Sequence, residues 1–415
     1  MGGVERFTQS LALELAQMGH HITIVTNDTG NLGPYEFLDA SGKIIGSNLD
    51  DSKNLQPENT CAGCIEVFRF PCVSLLGGRY PVPIKNSLFN TLVSKLDETD
   101  FSGVLVNTRF YLHSLIGTRF ALRQGIRPIV LDHGSAYLTL GSTLLDYLIA
   151  RYEDAITSVL KRRDVDFYGI SQKSISWLAH FGIHARGVLA NSIDAERYRA
   201  QASDRDFRRD LGLGPQDFLI SFTGRFIPEK GVSVLLDAFE LLNGLGEAGT
   251  SIHLAMAGEG PLASEIVKRG LESVHVLGRL DQSDIAALLI CSDLFCLPTR
   301  SEGFSTSLLE AAACGTPCVV TDVGGARELI PDEAYGVILS NSDSCMTHSF
   351  EASVAPDDLA GALSRMVSRR NELPAMGRLC SNLVSNLYSW RSTAEKVLDA
   401  FDDASRSSAC QQSRR

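Results

Sequence analysis

Apolar residues recur at helical spacing near the start of the chain, at Val4, Phe7, Leu11, Leu15 and Met18, and the pattern stops on Gly19. A glycine there is a normal helix C-terminal signal. The run over 21–26 reads as a strand, and residues 27–63 are polar and turn-rich, a long loop or hairpin insertion. Strand-like runs recur at 65–70, 103–107, 128–132 and 166–170, with helical stretches at 86–97, 113–124, 143–163 and 172–181 between them. Strands alternating with helices predict βαβ units around a parallel sheet. The series opens on Met1-Gly2-Gly3-Val4-Glu5-Arg6-Phe7, a loop running into a helix with no strand ahead of it.

The pattern breaks between 185 and 217, where Asn191-Ser192-Ile193-Asp194 leads into a charged stretch and then Gly212, Gly214 and Pro215. A second alternating series follows. Its strands fall at 218–223, 252–257, 274–277, 294–297, 318–321 and 336–339. Its helices fall at 231–243, 261–270, 282–290, 304–314, 325–330 and 356–370, with a last helical segment over 375–403. The expected organisation is one doubly wound domain over 1–190 and a second over 191–385. A helix over 386–403 and a polar, mobile tail over 404–415 complete it. Two such units in one chain leave a cleft between them, lined by strand C-termini.

Composition narrows the class. The chain has 415 residues, 44% of them hydrophobic, which suits two globular domains. No window reaches the roughly 18 uninterrupted apolar residues of a spanning helix. Net charge is −11, and nearly all of it lies after Ala190, where 21 basic residues face 31 acidic ones. That distribution lacks the basic footprint of a nucleic-acid binder. Ten scattered Cys without a leader pattern predict a reducing, cytoplasmic setting.

The segment richest in chemistry runs from Ser301 to Ala311 and opens a helix. Helix N-termini present unpaired N–H groups and a positive dipole end, so the Phe304, Ser305 and Thr306 amides suit an anion such as a phosphate. Gly303 permits close backbone approach. Glu302 and Glu310 lie eight positions apart, about 12 Å along a helix. That exceeds the carboxylate separation of about 5–10 Å in glycosidases, so each is read as binding a different hydroxyl. A dipole-favoured Glu beside a solvated one is the alternative.

Gly224-Arg225-Phe226-Ile227-Pro228-Glu229-Lys230-Gly231 joins a strand to a helix. Its two cations stand in the acidic half of the chain and suit a diphosphate, Arg225 as a planar fork and Lys230 as a point charge. Gly258-Glu259-Gly260 closes the next strand. His133, after Asp132 at a strand C-terminus, faces the cleft, and Gly2-Gly3 lets helix amides meet a phosphate.

Three further features have plainer readings. Cys61 and Cys64, with Cys72 downstream, lack a second Cys pair and a neighbouring His in sequence, so they read as a loop thiol pair and not as a zinc site. Cys314 and Cys318 read as small buried residues. Lys161-Arg162-Arg163 ends a helix carrying Tyr152, Ile156, Val159 and Leu160 on one side. A solvated, dipole-favoured helix end is the first reading, and contact with an anionic membrane face is left open.

Together these segments resemble the retaining glycosyltransferases of family 4, with the GT-B fold. The resemblance rests on Gly2-Gly3-Val4-Glu5-Arg6, Gly224-Arg225 with Glu229-Lys230-Gly231, Ala257-Gly258-Glu259-Gly260, and the spacing from Glu302 to Glu310 followed by Cys314-Gly315-Thr316-Pro317. It implies sugar transfer from a nucleotide-sugar donor to a hydroxyl acceptor, lipid-linked ones included. Arg225 and Lys230 would neutralise the donor diphosphate, with Phe304, Ser305 and Thr306 amides on the same phosphates. Glu310 would take the ribose hydroxyls and Glu302 the sugar hydroxyls, with His133 near the reacting carbon. Arg279 and Leu280 match where backbone reads the base. No cofactor or metal is implied. A central strand before the Gly-Gly turn is part of the family pattern and does not stand before Met1 in this sequence. A donor-binding protein without activity and a nucleotide-sugar 2-epimerase are the competing readings.

Overall fold

The computed structural model describes residues 3–30, 32–47, 63–75, 80–138, 143–244, 251–341 and 354–412. The first series yields strands β1 His21–Asn27, β2 Tyr35–Asp39, β3 Ile44–Gly46, β4 Cys64–Phe70, β5 Cys72–Leu75, β6 Tyr80–Pro83, β7 Leu105–Asn107, β8 Ile129–Asp132 and β9 Asp166–Gly169. The second yields β10 Phe218–Thr223, β11 Ile252–Ala257, β12 Val274–Gly278, β13 Leu294–Leu297, β14 Cys318–Thr321 and β15 Gly336–Leu339.

The second series closes into one parallel sheet of order β12-β11-β10-β13-β14-β15. Every residue of β10, β13 and β14 is buried, as expected of parallel strands covered by helices on both faces. Central β10 is apolar at Phe218, Leu219, Ile220 and Phe222, and its buried Ser221 hydroxyl donates to the Leu294 carbonyl at 3.3 Å.

The first series is divided. β7-β8-β9 form a parallel sheet, and β1 pairs in parallel with β4, which continues antiparallel into β2 and β3. Among the described residues, no strand pairs with the free edges of β1 and β7. The alternation read from sequence therefore holds for β1, β4 and β7–β9, while part of the presumed loop over 27–63 forms β2 and β3. The β5–β6 hairpin escaped the sequence because Pro81 and Pro83 break a strand reading, yet a two-stranded edge tolerates them.

The helical segment read over 375–403, with a separate helix from 386, forms two helices, Leu373–Leu387 and Trp390–Gln412. The break is built by Tyr388, whose carbonyl accepts from the Ile193 amide at 2.9 Å, and by Ser389, whose hydroxyl accepts from the Ser392 amide at 3.2 Å. The second of these helices runs past 403, its expected end, into the segment read as a tail over 404–415, and buries Ala404. It lies against the first unit. Trp390 meets Phe7 edge-on at 5.7 Å, and Gly103 lies so close to Phe401 that a Cβ there would sit 2.5 Å from the ring. No helix is long and apolar enough to cross a membrane among the described residues.

Candidate functional site

The turn after β10 is fixed by backbone contacts that only glycine permits. Gly231 adopts φ 71° and packs on the Pro298 carbonyl, where a Cβ would overlap the oxygen. The Glu229 carbonyl accepts from the Arg300 amide at 2.9 Å and the Thr299 hydroxyl at 2.9 Å. These ties lay the 228–230 turn along the loop after β13, and Lys230 Nζ consequently donates to Glu302 Oε1. Gly224 and Gly258 stand at φ 156° and 152°, and a Cβ on Gly258 would overlap the Gly224 carbonyl. The Phe226 amide donates to the Glu259 carbonyl at 2.8 Å. Both glycines thus bring neighbouring turns together rather than line the cavity wall.

From the first unit, the loop after β8 closes on this surface. Ser135 Oγ donates to the Glu302 carbonyl at 2.7 Å, and Gly303 lies against the His133 carbonyl with no room for a Cβ. His133 Nε2 lies 2.8 Å from Asn107 Oδ1, whose amide donates to Thr8 Oγ1 at 3.1 Å, and Phe7 packs edge-on to the imidazole at 5.1 Å. Burial lowers the His133 pKa to about 3, so the ring is neutral across physiological pH.

These groups share one cavity of about 2140 Å³. His133, Arg225, Lys230, Glu302, Gly303 and Gly3 all line it. Arg225 is exposed there, and Gly3 has open space around its Cα. The same cavity extends between the free edges of β1 and β7. Gly2 lies outside the described residues.

The remaining candidates stand elsewhere. The helix Thr306–Cys314 starts two residues later than the sequence pattern suggested, because Ser305 is its N-cap and its hydroxyl accepts from the Leu308 amide at 3.3 Å. Phe304 is buried against Tyr388. Thr306 opens the helix, half-buried. Glu310 is buried on its inner side, and Arg6 of the first unit reaches across to it at 3.6 Å. Burial pushes the Glu310 pKa up to about 7 against the pull of Arg6. Arg279 is exposed beyond β12, with Leu280 packed beneath the same edge. Neither lines the cavity wall.

Two arrangements were missed in sequence. Beneath the β8 loop, fully buried Arg109 lies 3.2 Å from Asp132 Oδ2 and donates to Glu153 Oε2 at 3.1 and 3.2 Å. Burial raises both carboxyls, Asp132 to about 6, with Arg109 opposing. The signal was Glu153 falling on the same helix face as Ile156 and Leu160. The second is Cys64, expected in a loop with Cys61. It instead opens β4, buried, 3.2 Å from His21 Nδ1, because the parallel pairing aligns Cys64 with His21. Cys61 lies outside the described residues. Among those described, no group of three or more His, Cys, Asp or Glu side chains is arranged to hold a metal ion.

Two family models match the chain, glycosyltransferase family 4 over residues 1–197 and glycosyl transferases group 1 over 203–347. The D-inositol 3-phosphate glycosyltransferase of Nocardia farcinica is 26% identical over 97% of this chain and 85% of its own length. One component of human phosphatidylinositol N-acetylglucosaminyltransferase is 22% identical over 98% of this chain and 74% of its own. Among solved structures, sucrose-phosphate synthase from Thermosynechococcus elongatus superposes with a TM-score of 0.68 at 16% identity, covering 98% and 94% of the two chains. Anabaena HepE in complex with UDP-glucose superposes at 0.62 and 17% identity, covering 97% and 96%. These likenesses place the fold as GT-B, two Rossmann-like units facing across a cleft.

Proposed function

This chain belongs to the family 4 glycosyltransferases of GT-B fold, and from that premise we propose that it moves a hexosyl group from a UDP- or GDP-sugar to a hydroxyl acceptor, with retention of anomeric configuration. The acceptor belongs to glycolipid, polysaccharide or small-glycoside synthesis. The observation that carries the reading is the meeting of Lys230 with Glu302 on a wall shared with Arg225 and His133.

In this reading Arg225 and Lys230 take the diphosphate. Negative charge grows on it as the glycosidic bond breaks, so fixed cations and the dipole of the Thr306–Cys314 helix act most strongly in the transition state. Glu302 exchanges its Lys230 partner for sugar hydroxyls as the phosphate arrives. Glu310 exchanges Arg6 for the ribose hydroxyls, and the Arg279–Leu280 backbone faces the base. Neutral His133 lies against the sugar as a hydrogen-bonding group, and the acceptor hydroxyl is held on the same face of the sugar by the first unit. The names of two relatives, inositol phosphate and phosphatidylinositol transferases, support a polyol or lipid-linked acceptor. The HepE complexes support uridine.

Thermal shift with UDP, GDP, ADP and their sugars tests the donor, followed by product analysis over an acceptor panel. Stabilisation by one nucleoside diphosphate and a product of retained configuration are expected. No shift with any of them would overturn the reading. Epimer formation without acceptor would reassign the chain to 2-epimerisation, and donor binding without turnover would make it a donor-binding protein.

A further inference from the structure

The outer strand of the second sheet carries half of an imidazole pair that the donor site does not use. Among the described residues β12 is the sheet's edge and pairs with β11 alone. In that parallel ladder Ala255 stands opposite His275, so His253, two positions before Ala255, projects from the same face one step along. His253 Nδ1 lies 3.1 Å from His275 Nε2, and the rings are nearly parallel, 22° apart with centroids at 5.4 Å. Both residues are half-buried. They stand 22 positions apart in the chain, so no local motif announces them.

Burial lowers both pKa values, and His253 lowers that of His275 further, so both rings are neutral at neutral pH. Two neutral imidazoles meet nitrogen to nitrogen only when one donates and the other accepts. Asp217 Oδ2 lies 4.0 Å from His253 Nε2. That carboxylate favours the tautomer with its N–H on Nε2, which leaves the Nδ1 lone pair towards His275. A tautomer shift in His275 turns its Nε2 lone pair to the same point. Arg208, whose charge acts on His253, is engaged by Asp293 Oδ2 at 3.0 Å and the Asp217 carbonyl at 2.6 Å.

We infer that this pair chelates one divalent late transition-metal ion, with His253 Nδ1 and His275 Nε2 as two ligands and water as the rest. With metal–nitrogen bonds of about 2.0–2.1 Å, donors 3.1 Å apart subtend about 95–100° at the ion. That angle suits adjacent corners of tetragonal nickel(II) or copper(II), and a slight widening suits tetrahedral zinc(II). Paired imidazoles disfavour magnesium and calcium, which take oxygen ligands. Bound here, the ion staples the edge strand to its neighbour. β12 runs directly into Gly278, Arg279 and Leu280, so the staple also braces the turn that the transferase reading sets against the base. That consequence rests on the transferase reading; metal binding does not, so the two fail separately.

The test titrates nickel(II) chloride into the full chain, with magnesium chloride as control, and reads calorimetric binding and the thermal unfolding midpoint. His253→Asn and His275→Gln each remove one ligand and keep a polar side chain. A midpoint that rises with nickel and not with magnesium, and nickel affinity at least about tenfold lower in each folded variant, are expected. No rise with nickel, an equal rise with magnesium, or nickel affinity unchanged in a folded variant would overturn the inference. The last result would move the ion to another pair, such as His21 with Cys64. Should His253→Asn not fold, His275→Gln on the edge strand decides alone. Nucleotide binding by the chain in EDTA reports on the transferase reading independently.

Discussion

The two sheets flanking the cavity are held together in opposite ways. In the second unit, six parallel strands run without interruption and the turns at their ends are joined by main chain on main chain, Gly258 against Gly224 and Gly231 against Pro298. In the first unit, the strands divide between β1 and β7, and the cavity continues into the division. The first arrangement positions charges to within a hydrogen bond. The second leaves room, and its share of the site comes from single residues on one loop and one helix, His133 and Arg6.

The comparison breaks most sharply at Lys230. Lys230→Ala is expected to lower kcat about 1000-fold while leaving the unfolding midpoint near wild type. Comparable turnover in a folded variant would remove the proposed site from this unit. The next effect is on stability. Gly258→Ala should lose at least about 3 kcal/mol in urea unfolding, since its Cβ would overlap a carbonyl oxygen.

Glu310 gives a pH test of the contact between units. Its pKa rises from 4.5 to about 7 on folding, so the stability linked to it is full below pH 4.5 and is lost as pH rises through about 7. Glu310→Gln should remove that slope and stabilise the chain at alkaline pH by no more than about 3 kcal/mol, read from unfolding at several pH values. Arg6→Ala should extend that loss to higher pH, because the buried carboxylate loses its cation. Among smaller effects, hydrogen exchange at the β1 and β7 amides should run at least about tenfold faster than at β10. Smallest of all, Gly3→Ala should change stability by no more than about 0.5 kcal/mol, since its Cβ meets only open space.

Legibility in the sequence followed the same division. β10, β11 and β13–β15 appeared at their observed positions because buried parallel strands are continuous apolar runs between turn residues. Lys230 and Glu302 were each readable from their own loops, but their meeting was not. It depends on the Gly231 turn packing on Pro298, a tertiary contact with no local signature. Arg6 with Glu310 and Arg109 with Asp132 and Glu153 are likewise pairings between distant segments. The β5–β6 hairpin was hidden by its prolines, and the last helix, read from 386, starts at Trp390 because helical periodicity continues on both sides of Tyr388.

The stack of main chain at Gly303 has a kinetic consequence. The His133 carbonyl lies on one side of Gly303, and Gly324 lies on the other, where its own Cβ would be 2.7 Å from the Glu302 carbonyl. At Gly303 main chain of one unit meets main chain of the other, and the Ser135 hydroxyl ties the neighbouring Glu302 carbonyl to the first unit. In the proposed reaction, widening the contact at Gly303 would require movement of whole units, and turnover would then be bounded by how often they part. Substrate capture should then respond to solvent viscosity and to substitutions along Trp390–Gln412, far from any reacting atom.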